Sequence, residues 1–108
     1  MNIPKIEYKP VETQFEGNGH VYRQMKRDKN IAMYSVTSLT TKNLLGFEVV
    51  IIRKRGQKRF PNGIVYEPME YYPETSQFGK YGWYYMKIQK ETADRKYQSL
   101  LNAGALPV

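Results

Sequence analysis

Gly46-Phe47-Glu48-Val49-Val50-Ile51-Ile52-Arg53 holds four consecutive β-branched residues in a chain of 108. Such residues lose χ1 freedom in a helix and pack well on the pleated surface of extended backbone. Successive side chains of a strand point to opposite faces, so an apolar run without alternation predicts a strand inside a sheet covered on both sides. The run is far shorter than the ~18 to 20 apolar residues that span a bilayer.

Outward from this strand the punctuation is regular. Upstream, Thr40-Thr41-Lys42-Asn43 breaks the chain, and Ile31–Ser38 reads as a strand returning from Val21–Arg27 across the polar turn Arg27-Asp28-Lys29-Asn30. Downstream, Gly56-Gln57-Lys58-Arg59-Phe60-Pro61-Asn62-Gly63 reads as an exposed loop, because glycine, proline and Asn-Gly all favour turn conformations. Ile64–Glu67 then predicts a strand continuing past an irregularity at Pro68 to Tyr71-Tyr72, and Pro73–Gly79 a connection. Gly82–Gln89 predicts a last strand, its aromatic residues suited to a pleated surface. Ala93, Tyr97, Leu100 and Leu101 fall at i, i+4, i+7 and i+8, one stripe of a helix over 90–103, with Glu91 and Arg95 as an i,i+4 pair and Gly104 and Pro107 as the stop. The expected fold is α+β, about five mostly antiparallel strands with one carboxy-terminal helix packed on the sheet. It forms one domain over 1–108, with an extended arm at 1–19 that is able to add an edge strand, a β-rich body at 20–89 and the helix at 90–103.

The segment from Glu70-Tyr71-Tyr72-Pro73 to Phe78-Gly79-Lys80-Tyr81-Gly82-Trp83, following Phe47–Arg53 and preceding a short helix, resembles a pattern in small bacteriophage and mobile-element proteins. The resemblance covers roughly the second half of the chain and implies a setting of that kind. It carries over no activity and no functional residue. Read physically, Pro73 fixes a turn, Gly79 and Gly82 allow tight backbone paths, and Phe78 and Trp83 pack across them. A binding platform of Trp83, Tyr84 and Tyr85 is disfavoured, because alternation sends at least one of each adjacent pair inward.

Charge narrows the class of partner. The net charge is +7, and its placement is uneven: residues 20–59 carry ten basic residues against two acids, while the remainder carries seven against eight. One electropositive region in an otherwise near-neutral chain points to a polyanion. Arg53-Lys54-Arg55-Gly56-Gln57-Lys58-Arg59 puts five cations in seven residues at a strand end, where Arg and Lys can reach phosphate oxygens, and Phe60 follows as a candidate base-stacking ring. Arg23, Lys26, Arg27 and Lys29 flank the hairpin turn and would join the same groove if the two turns lie together. Tyr22 and Tyr34 are expected to add aromatic faces for unstacked bases. Strands and loops that mix aromatic and basic residues suit single strands, and the helix is too nearly neutral on its outer face for a recognition helix.

Other chemistry is poorly provided for. There is no cysteine, which excludes disulfides, Cys-based zinc sites and a thiol nucleophile. No phosphate-binding glycine loop, His pair or nucleophile elbow is present, so neither a metal nor a cofactor is implied. His20 is the single histidine, with no partner at a catalytic spacing; Asp28 and Asp94 are far apart, and Glu7-Tyr8-Lys9 lacks a preceding Asp for a nuclease motif. Glu67, Glu70 and Glu74 balance the basic patch or mark a second contact surface.

The sequence therefore leads to a small basic, non-enzymatic nucleic-acid-binding protein, preferring single strands and dominated by phosphate contacts, of phage or mobile-element type. The alternative is an interaction or inhibitor module for an acidic protein, with a homodimer through an exposed strand edge as a further arrangement. A small ribonuclease is the lesser alternative, so the enzyme question stays open. With charge and proline in place of a signal-peptide core at Met1–Glu7, the expected location is cytoplasmic, away from membranes.

Overall fold

The computed structural model describes residues 7–104, so residues 1–6 of the expected arm, and Pro107 of the helix stop, lie outside the described residues. Turn chemistry sets the chain path. β1 (Gln14–Gly17) and β2 (His20–Asp28) are joined by Asn18-Gly19 with φ of 54° and 78°, the pair of left-handed residues that a two-residue hairpin turn requires. β2 returns as β3 (Ile31–Ser38) through the predicted polar turn, and β3 as β4 (Leu44–Ile51) through a loop in which the Ser38 amide donates to the Asn43 carbonyl. Short strands β5 (Arg53–Arg55), β6 (Lys58–Arg59), β7 (Val65–Tyr66) and β8 (Met69–Tyr71) follow, then β9 (Gly82–Met86) and α1 (Lys90–Asn102). The main sheet is antiparallel in the order β1-β2-β3-β4-β9; β5 pairs with β8, and β6 with β7.

The apolar run of β4 is explained by its two covered faces. On one, Ile31, Met33, Phe47, Val49 and Ile51 pack against Ala93, Tyr97 and Leu100 of α1, the stripe that the helical period predicts. On the other, Ala32, Tyr34, Val50 and Ile52 lie under Val11, Phe15, Tyr22, Tyr72 and Phe78. The helix is tied to the hairpin where the Tyr97 hydroxyl donates to Asp28 (2.6 Å), and Glu91 pairs with Arg95 at 3.6 Å as their spacing predicts. Trp83 and Tyr85 pack on the helix side, while Tyr84 is exposed.

Two details differ from the expectation. The strand over 64–72 does not join the main sheet, because β4 is already flanked by β3 and β9 and offers no free edge. That segment instead folds back on 53–59, which turns the expected loop at 56–63 into part of a two-stranded ribbon. The fifth strand of the sheet is β1, the edge strand expected of the arm. Finally, residues 87–89 form a 3-10 turn, since pairing with β4 ends at Gly46↔Met86 and the chain must rise to place α1 over the sheet.

Candidate nucleic-acid interface

The basic run grows out of the sheet as the ribbon β5–β8. Its base is anchored: the Ile52 amide donates to the Asn30 carbonyl (2.6 Å), and Arg27 grips Glu70 with two hydrogen bonds of 2.7 Å. The hairpin turn at 28–30 and the start of the basic run therefore meet at one end of the sheet. Further out, residues 56–67 are exposed throughout, apart from half-buried Phe60. The tip turns at Asn62-Gly63, where the Asn62 side chain accepts from the Ile64 amide and Gly63 takes φ of 87°. The Cα radius of gyration, 15.7 Å, exceeds the ~13 Å of a compact chain of this length.

The ten residues nominated from sequence occupy different environments. Lys54, Lys58 and Arg59 are exposed on the ribbon, and Lys29 is exposed at the adjoining turn; none of the four forms an ion pair among the described residues. Lys58 lies over the Phe60 ring at 5.1 Å, and Phe60 meets Tyr66 edge-on at 5.1 Å, so cation and aromatic surface are presented together. Arg55 is half-buried against Met69 and lies over Tyr66. Arg53 is 9% exposed, its guanidinium held between Tyr81 (3.8 Å) and Tyr71 (4.9 Å). Arg27 is engaged by Glu70, whose carboxyl it holds below the usual range. Lys26 reaches Asp94 and Tyr97 on the helix side, and Arg23 reaches Gln14 at the sheet edge. The structure thus brings Lys29, Lys54, Lys58 and Arg59 to the exposed surface around one ribbon beside half-buried Phe60, and directs Arg23, Lys26, Arg27 and Arg53 to contacts within the chain.

No family model, curated protein or solved structure matches the chain significantly.

Tyr66 joins this surface without having been nominated. The available signal was Asn62-Gly63 between Phe60 and Tyr66, a hairpin-turn dipeptide flanked by aromatic residues. Conversely, burial removes Tyr34 from the stacking role expected of it, and half-buried Tyr22 packs against Phe15 and Tyr72. Tyr34 is fully buried, its hydroxyl donating to the Glu12 carbonyl (2.8 Å), and Tyr22 is stacked on Phe15 at 4.8 Å. Both rings pack in the second core, which the sequence did not reveal because its cover comes from residues 11–22 and 72–78, distant along the chain. The side chain of His20 meets Tyr22, whose hydroxyl lies 3.5 Å from Nδ1. Among the described residues no cluster of three or more His, Asp or Glu is placed to hold a metal, and no helix is long and apolar enough to cross a membrane.

Proposed function

We propose that the chain is a non-enzymatic nucleic-acid-binding protein that grips a single strand with the β5–β8 ribbon. The supporting observation is the co-presentation of Lys54, Lys58 and Arg59, which form no ion pair among the described residues, with the Phe60–Tyr66 edge on an exposed ribbon. Phosphate contact supplies affinity, since each neutralised phosphate releases counterions. The aromatic edge supplies a stacking surface that tolerates any base, worth ~1 to 3 kcal/mol per stacked base. Lys29, beside the ribbon's base, extends the path of the backbone. The setting proposed with this function is a bacteriophage or mobile element.

The test is a titration with labelled single-stranded DNA, RNA and duplex DNA across a range of salt. Single strands should bind most tightly, with affinity falling steeply as salt rises; absence of binding at about 50 mM salt contradicts the proposal. A second reading, contact with an acidic protein, draws on the exposed apolar side chains at the ribbon tip, Ile64 and Val65. It is favoured if oligonucleotides fail to bind while a polyglutamate probe does.

A further inference from the structure

The face of the sheet remote from α1 carries a second site of opposite character. Between the β1–β2 turn and the segment after β8 lies a cavity of about 290 Å³ lined by Asn18, Tyr22, Glu48, Tyr72, Glu74 and Phe78, among others. This volume is at the small end for ligand sites, enough for one headgroup or one side chain. Three of its walls are aromatic. The Tyr22 and Tyr72 rings are 6.2 Å apart and inclined at 59°, forming a corner, and Phe78 is fixed by packing against Gly82, where a side chain would strike its ring.

The floor is Glu48. The Tyr72 hydroxyl donates to its Oε1 at 2.5 Å, whereas Oε2 takes no hydrogen bond from the described residues. No Lys or Arg among the described residues pairs with Glu48, in a chain of net charge +7. A half-buried carboxylate without a counter-cation is costly, and burial accordingly pushes the Glu48 carboxyl up. Aromatic faces carry negative quadrupole charge and attract cations, most of all when these are held away from water. Aromatic walls around an uncompensated carboxylate make a receptor for a positively charged group that is too bulky or too weakly hydrated to stay in solvent.

We infer that this cavity binds an organic ammonium ion, its carbon-bearing face against Tyr22, Tyr72 and Phe78 and its charge balanced by Glu48. No Lys or Arg lines this cavity, so the site is separate from the cationic ribbon and stands whether or not the ribbon binds nucleic acid. The ammonium can belong to a free small amine or to a methylated lysine of another protein.

The experiment is an NMR titration of the full chain with choline, with its neutral isostere 3,3-dimethyl-1-butanol, and with a short peptide carrying trimethyllysine. Choline should shift the resonances of Tyr22, Glu48, Tyr72 and Phe78, and should bind about tenfold or more tightly than the isostere. Glu48→Gln keeps an acceptor for Tyr72 and removes the charge, so it should weaken choline by about tenfold while leaving the isostere unchanged. Tighter binding of the peptide than of choline identifies a lysine side chain as the occupant, and the reverse order a free amine. Equal binding of choline and the isostere, choline binding unaltered by Glu48→Gln in a variant with a folded spectrum, or shifts outside the cavity would each overturn the inference.

Discussion

Glu48 and Glu70 are both half-buried carboxylates, yet their surroundings give them opposite effects on stability. Glu70 accepts two hydrogen bonds from Arg27 and one from the Val11 amide, which lowers its pKa. The unfolded chain therefore binds its proton more readily, and the stabilisation by Glu70 is complete above the ordinary glutamate range and lost as pH falls through its lowered folded value. Glu48 is raised by burial, so its ionisation opposes folding: the penalty develops as pH rises through the ordinary glutamate range and is complete above its raised value. Denaturant unfolding from about pH 3 to 7 should accordingly show Glu48→Gln gaining stability relative to the parent as pH rises, and Glu70→Gln losing it. Near neutrality Glu70→Gln should cost about 2 kcal/mol, the worth of charge-assisted bonds in a partly buried pair. Differences that do not vary with pH contradict both assignments. The sequence shows Glu48 as a lone acid in an apolar strand, which fixes its alternation but not its cover. Tyr72, which caps it, is 24 residues away.

Among the elements, β4 and α1 were legible because each carries its own period: an unbroken β-branched run for a strand buried on both faces, and Ala93, Tyr97 and Leu100 for a helix seated on one of them. The ribbon was not, because strands of two and three residues interrupted by Gly56, Pro61 and Pro68 have no period to read. Where β4 meets β9 the fit depends on a missing side chain. A Cβ at Gly46 would collide with the Tyr85 carbonyl and come within 2.6 Å of the Tyr84 hydroxyl. Gly46→Ala should destabilise the fold by about 2 to 3 kcal/mol, read as a lower denaturation midpoint, while an unchanged midpoint would show that the two strands separate freely. The junction of α1 with the β2–β3 hairpin rests on the Tyr97 hydroxyl and Asp28. Tyr97→Phe removes that bond without opening a cavity and should cost about 1 to 2 kcal/mol by thermal or denaturant unfolding.

Across the whole molecule, a charge of +7 is divided between structure and surface. Sequence located the excess in residues 20–59 but could not separate cations turned inward, such as Arg27 and Arg53, from those left exposed on the ribbon, because that depends on which strands pair. Arg53 is held between two tyrosines, so Arg53→Met should leave the affinity for an oligonucleotide and its dependence on salt unchanged, where loss of one phosphate contact would reduce the slope by about 0.7. Lys54, Lys58 and Arg59 are the cations on which binding should depend. The decisive measurement is the slope of log affinity against log salt for a single-stranded oligonucleotide, compared between the parent chain and the triple variant Lys54→Gln, Lys58→Gln, Arg59→Gln. Binding through the ribbon predicts a steep parent slope that falls in magnitude by about 2 in the variant, from three lost contacts at about 0.7 each. A parent slope near zero, or the same slope in both proteins, would contradict it.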